Sequence, residues 1–238
     1  MASTKVELNC EMTCGRCREK IENTLKDVSG LKVNSIDVAN QRVLLEMADT
    51  CVATIMDIQN QIENRTGIKT VVKGVGDQFT GVSEIFGPSN LVGVVRMAQI
   101  PMNKCFVDGI VDNVNLSRND SHCSLNIHEY GDLRGEKFEF VGPIRQSIID
   151  NVKPVQGRCT FRCYVNDCNL VDMIGRSMVL TEQETNNHLG AGIMARSSPI
   201  FGNMKKVCEC SGKTLWDEGE ERQKKSFNTL NSLTFTHR

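Results

Sequence analysis

Two thiols three residues apart, in Met12-Thr13-Cys14-Gly15-Arg16-Cys17, fall where an extended run, Lys5 to Asn9, turns into a helical run, Arg18 to Leu25. Few folds tolerate such a junction, because both sulfurs must emerge from one short loop. A helix N-terminus favours negative charge, so it lowers thiol pKa values and favours thiolate. Gly15 is expected to relax the loop backbone and Met12 to anchor it from beneath. Two exposed thiolates of this kind make a soft site of low coordination number, which suits Cu(I).

Spacing alone leaves other readings open. A lone C-x-x-C is also half of a zinc site, a thioredoxin-like redox pair, or two structural cysteines. Zinc needs two more ligands; the next Cys is Cys51, and the first His is His122. The aromatic residue and long hydrophobic βαβ surroundings usual for a redox pair are absent.

The following residues narrow the choice. Gly30 to Val38 partly alternates and reads as a strand, Ala39-Asn40-Gln41 as a turn, and Arg42 to Met47 as a second strand. A helix is expected from Cys51 to Asn64, capped by Asp49-Thr50, with Val52, Ile55, Ile58 and Ile62 on its apolar face. Thr66-Gly67 ends it, and Ile68 to Gly74 is a last strand. The order is βαββαβ, a ferredoxin-like unit. With MTCGRC between strand and helix, residues 4–75 resemble a heavy-metal-associated domain of copper chaperones and copper pumps.

At 238 residues the chain is too long for that unit alone, so two domains and a tail are expected. A net charge of -1 and the lack of a basic stripe argue against nucleic-acid binding. The N-terminus is polar and no stretch approaches membrane-span length, so no stable membrane insertion and a cytoplasmic location are expected. The chain has 11 cysteines, which in that compartment do not imply a disulfide framework. Cys10, Cys51, Cys105, Cys123, Cys159, Cys163 and Cys168 show no chemically meaningful pairing and read as structural thiols.

Gly74 to Gln78 reads as a small, polar, flexible linker. Beyond it, short apolar runs alternate with Gly, Asn, Asp and Pro: Val92 to Met97, Lys104 to Val111, Ser124 to Asp132 and Gly157 to Cys163. Such spacing predicts an antiparallel Greek-key β-sandwich or barrel. Three phrases, His128 to Leu133, Ile174 to Leu180 and Leu189 to Ser197, resemble copper/zinc superoxide dismutase over residues 82–200. The departures from that family matter most. Its His-x-His has become Asn126-Ile127-His128, a further copper His is Thr181, and the Arg before the Leu is His188. No His occupies the loop after Asp132, and both cysteines of the family disulfide are missing. Counted this way, a single imidazole is left, so neither dismutase activity nor zinc is expected in this domain. The Tyr130 to Asp132 region and the Gly192 to Ala195 strand resemble parts of the dismutase dimer interface, which implies a docking role.

Lys205-Lys206-Val207-Cys208-Glu209-Cys210 supplies a second thiol pair. In an extended chain residues i and i+2 face one side, so Cys208 and Cys210 can hold Cu(I) or close into a strained disulfide. Idle tail cysteines are the plain alternative. All three parts together resemble the copper chaperones for superoxide dismutase. The expected plan is a heavy-metal-associated domain at 1–75, a linker at 76–81, a dismutase-like docking domain at 82–203 and a flexible tail at 204–238. The resemblance implies Cu(I) held by Cys14 and Cys17, and a heterodimer with Cu/Zn superoxide dismutase through the middle domain. It also implies copper transfer and disulfide exchange by Cys208 and Cys210, without enzymatic dismutation. A homodimer is expected to be possible without the target. A general thiol oxidoreductase with a copper-binding head, and an active dismutase fused to such a head, are the rival readings.

Overall fold

A computed structural model describes residues 3–118 and 120–203; Cys208, Cys210 and the rest of the expected tail lie outside them. The head runs β1 (Ser3–Cys10), α1 (Gly15–Leu25), β2 (Leu31–Asp37), β3 (Arg42–Ala48), α2 (Ile55–Thr66) and β4 (Thr70–Val75). Its antiparallel sheet has the order β2-β3-β1-β4. Alternation puts Val6, Leu8, Val43, Leu45 and Met47 on one face, where they are buried together with Ile21 and Leu25 of α1 and Ile55, Ile58 and Ile62 of α2. The expected βαββαβ unit is what forms.

Two boundaries differ from the sequence reading. Helix α1 begins at Gly15, so Cys17 lies in its first turn and not in the loop; Gly15 has no positive φ and no crowding there. Helix α2 begins at Ile55 and not at Cys51. Its cap is Thr54, whose hydroxyl accepts from the Asp57 N–H at 3.1 Å, while the Asp57 carboxylate accepts from the Thr54 N–H at 2.9 Å. This reciprocal box satisfies the first-turn donors better than Asp49-Thr50 can. Val52 therefore sits in a loop, 84% exposed, and not on the helix face. Gly67 ends α2 with φ 71°, as the Thr66-Gly67 pair predicts.

The second region contains β5 (Thr80–Phe86), β6 (Val92–Ile100), β7 (Lys104–Asp112), β8 (Cys123–His128), β9 (Ile144–Val152), β10 (Cys159–Val165), β11 (Ser177–Glu182), β12 (Asn187–Ile193) and β13 (Ala195–Ser197). Their antiparallel order is β10-β7-β6-β5-β12-β11-β8-β9, with β13 also on β5. The crossovers that set β12 beside β5 and β8 beside β11 make a near-closed Greek-key barrel. Ile85, Val95, Met97, Val107, Leu125, Ile127, Phe161 and Leu180 fill its interior.

Head and barrel share a core, contrary to a purely flexible join. Strand β7 is buried on both faces: Cys105 and Val107 point into the barrel, whereas Phe106 packs in the head's cluster with Ile55 and Met47. Asp108, 1% exposed, accepts from the Ile55 N–H at 3.0 Å and pairs with Arg162 of β10 at 3.1 Å. Arg162 also donates to the carbonyls of Ala48 and Cys51 and covers the Phe106 ring at 4.9 Å. Between the two sheets the chain is fixed as well. The Gly76 N–H donates to the Lys5 carbonyl at 2.8 Å, and the Gly76 carbonyl accepts from Ile200 at 2.9 Å.

Candidate functional site

Cys14 is the N-cap of α1, with extended φ and ψ of -159° and 174° and an exposed side chain. A Cys cap offers no oxygen to the first-turn amides, and no side-chain cap bond forms here. Those amides are left to point at the loop. The Cys17 N–H donates to the Cys14 carbonyl at 3.1 Å, which brings the second side chain back toward the first. Around the Cys17 sulfur gather the backbone amides of Thr13 and Cys14, then the Thr13 hydroxyl (3.9 Å) and the Cys14 thiol. These donors draw the Cys17 thiol down to about 7 from its usual 9. Thr13, four residues ahead of Cys17, was not singled out by the sequence; nothing but its hydroxyl and position would have marked it.

The loop is held from below. Met12 is buried against the head core, as its place before the thiols suggests. Its carbonyl accepts from the Gln41 side chain of the β2–β3 turn at 3.4 Å. Cys10, at the end of β1, is buried beside Thr70, and burial pushes its thiol up to about 12. The fold thus separates the thiols of one short segment into a buried anchor and an exposed reactive pair.

The second candidate region lies on the barrel. A groove of about 850 Å³ is lined by Glu129 to Arg134 and Ile174 to Arg176, bringing together two of the three phrases singled out in the sequence. Arg176 pairs with the Glu129 carboxylate at 2.7 Å, and the Ser177 hydroxyl donates to the Tyr130 carbonyl at 2.7 Å. Gly131 approaches the Gly175 carbonyl so closely that a Cβ would lie 2.1 Å from its oxygen. Tyr130 stands out of this surface, 56% exposed. The Met194 N–H donates to the Arg176 carbonyl at 2.9 Å, so the third phrase supports the same rim.

Among the described residues, no three His, Cys, Asp or Glu side chains gather into a metal site. The imidazole count taken from the phrases is nevertheless corrected by the fold. His188 of β12 sits edge-to-face with His128 of β8, ring centres 5.3 Å apart. No spacing rule could have paired residues sixty positions apart on different strands. Cys208 and Cys210 cannot be placed against either region, since they lie outside the described residues.

A donor-surrounded thiol pair, Cys14 exposed and Cys17 partly so, at a strand-to-helix junction of a ferredoxin-like fold is the pattern of a heavy-metal-associated domain. The family model for the heavy-metal-associated domain matches residues 9–69. Over a longer span the chain is 28% identical to the copper chaperone for superoxide dismutase of Mus musculus, covering 90% of this chain and 88% of that one. It is 29% identical to the chloroplastic copper chaperone for superoxide dismutase of Oryza sativa subsp. japonica, over 89% of this chain and 70% of that one. The superoxide dismutase 1 copper chaperone of Kluyveromyces lactis is 27% identical over 89% of this chain and 91% of its own. The chain is thus similar along most of its length to copper chaperones for superoxide dismutase, and it carries a heavy-metal-associated domain. No helix among the described residues is long and apolar enough to cross a membrane.

Proposed function

We propose that this chain binds Cu(I) at Cys14 and Cys17, docks on a Cu/Zn superoxide dismutase through its barrel and passes the metal on by ligand exchange in the cytoplasm. The observation that carries this reading is the Cys14–Cys17 loop, whose donors draw the Cys17 thiol down to about 7 while Cys14 stays exposed and Cys17 partly so. Cu(I) accepts two or three soft ligands, so an incoming thiolate can join before an outgoing one leaves. No free ion is released, and the difference in affinity sets the direction.

Docking as a heterodimer rests on the groove around Tyr130, Gly131 and Arg176. A two-fold interface is self-complementary, so a barrel that keeps the shared patch can replace one subunit of a dismutase dimer. The same patch permits a homodimer when no target is present. The protein acts as a metallochaperone and not as a dismutase, since Asn126 and Thr181 replace imidazole ligands.

Cys208 and Cys210 are assigned the final step. Their disulfide is passed to two target cysteines by exchange: the target pair is oxidised and the tail pair reduced. The described chain ends against the head, where the Phe201 N–H donates to Glu7 of β1 at 2.6 Å and Arg42 of β3 covers the Phe201 ring at 5.0 Å. Cys208 is five residues past Asn203, a reach of at most about 18 Å. That the described residues end beside the head's sheet supports relay of copper from Cys14 and Cys17.

The test mixes protein carrying Cu(I) at Cys14 and Cys17 and the Cys208–Cys210 pair as its disulfide with metal-free, disulfide-reduced dismutase in the presence of a strong Cu(I) chelator. Recovery of dismutase activity and of the target disulfide, both lost with Cys208→Ser and Cys210→Ser, is the expected result. Metal passing to the chelator without activation contradicts the assignment. Activation of unrelated dithiols without copper would favour the oxidoreductase instead.

A further inference from the structure

The barrel holds a nitrogen donor that the thiol chemistry leaves unused. His128 is 4% exposed, at the end of β8 beneath the loop that joins β8 to β9. Its Nδ1 lies 2.8 Å from the carbonyl oxygen of Gly142 in that loop. A carbonyl only accepts, so Nδ1 carries the proton, and in neutral imidazole Nε2 is left as a bare lone pair. That Nε2 is buried and has no hydrogen-bond partner. Orphaning a buried acceptor is unfavourable unless something fills its place. A ring fixed through Nδ1 to a backbone carbonyl, with Nε2 free, is also how a protein orients a metal-ligating histidine.

The group facing it is a second imidazole. The His188 ring lies 5.3 Å from that of His128 at an interplanar angle of 86°. Its Nδ1 is 3.0 Å from the Thr181 hydroxyl, which accepts from Nδ1–H as readily as it donates. With the hydroxyl accepting, Nε2 of His188 is free as well. Burial and the neighbouring His128 lower the His188 pKa, against a smaller upward pull from Glu139. That shift favours the neutral, ligating form of the His188 ring. His188 is only half-buried, so its ring can turn toward an incoming ion.

We propose that His128 and His188 form a two-coordinate site for Cu(I) in the barrel. The metal follows from the donor count: among the described residues no third His, Cys, Asp or Glu completes a cluster, and zinc sites built by proteins take three or four such ligands. Cu(I) is satisfied by two neutral imidazoles and displaces no proton from them. This is not the dismutase ligand set, because His188 stands where that family's pattern has Arg. Nor does the site depend on copper at Cys14 and Cys17, so either can fail alone.

The experiment uses the full chain with Cys14, Cys17, Cys208 and Cys210 all changed to Ser. Cu(I) alone is titrated in against a competing chelator under nitrogen, and the retained metal is examined by X-ray absorption. One equivalent with low-coordinate nitrogen donors is expected, falling to none with His188→Asn and with His128→Asn. His188→Asn is the informative variant, being at a half-buried position; an unchanged thermal midpoint shows that its barrel is intact. Overturning results are no metal retained against the chelator, sulfur donors from the remaining cysteines, or one equivalent still held after His188→Asn.

Discussion

Cys17 in the head and Cys163 in the barrel are the same side chain put to opposite uses. Backbone amides and a hydroxyl surround the first and draw its thiol down to about 7. Burial among apolar strands pushes the second up to about 11. Cys159 and Cys105 go further in the same direction, each held as a thiol by hydrogen bonding to a neighbouring thiol, Cys123 and Cys168 respectively, and by burial. Of the nine cysteines among the described residues, only Cys14 is fully exposed, and only Cys17 and Cys163 are partly so. The lesson is that cysteine number says little about metal chemistry. What separates the Cys17 thiol from a core thiol is whether the local backbone points its N–H groups at the sulfur.

The comparison breaks most visibly at the head. With Cys208 and Cys210 already Ser, adding Cys14→Ser and Cys17→Ser removes sulfur-ligated Cu(I) outright, from one equivalent to none by X-ray absorption. Changing Cys105 and Cys163 to Ala instead leaves that equivalent in place. Next comes the joint between the regions. Arg162→Met takes from the buried Asp108 carboxylate the cation hydrogen-bonded to it, with Arg96 left nearby, a loss of about 3–5 kcal/mol by urea unfolding. Adding Asp108→Leu recovers only part of that loss, because the Ile55 N–H and the Ala48 and Cys51 carbonyls are left without their partners. Thr54→Ala removes the α2 capping box and lowers stability by about 1 kcal/mol, read the same way, without changing copper stoichiometry. The smallest effect is a shift of midpoint. Cys17 is a thiol below about pH 7 and a thiolate above it, so its alkylation rate rises through half-maximum near 7. Thr13→Val removes one donor and moves that midpoint upward.

Much of this arrangement could be read from residues. The Cys14–Cys17 spacing, the buried Met12 and the Thr66-Gly67 stop each followed from local chemistry, and the head and barrel patterns followed from alternation. The start of α1 could not be read, since a Cys cap with no side-chain bond leaves no mark at the N-terminus. For α2 there were two polar pairs to choose between. Thr54 with Asp57 prevailed because it satisfies the helix amides reciprocally, and Asp stood where a longer acid is the usual partner. Phe106, Asp108 and Arg162 fall in two runs read only as strands of the barrel. Only the docked head reveals why they are buried. His188 beside His128 was out of reach for the same reason: contacts across strands depend on sheet order, which spacing along the chain does not encode.

The most direct test of the central claim is a copper-protection footprint of the intact chain. The protein is pulsed with an alkylating reagent near pH 7.5, with and without one equivalent of Cu(I), and each cysteine is read by peptide mass spectrometry. The account predicts rapid labelling of Cys14 and Cys17 that copper suppresses, with Cys105, Cys123, Cys159 and Cys168 unlabelled in both samples. Copper-dependent protection at the barrel cysteines, or labelling of Cys14 and Cys17 that copper leaves unchanged, would contradict it.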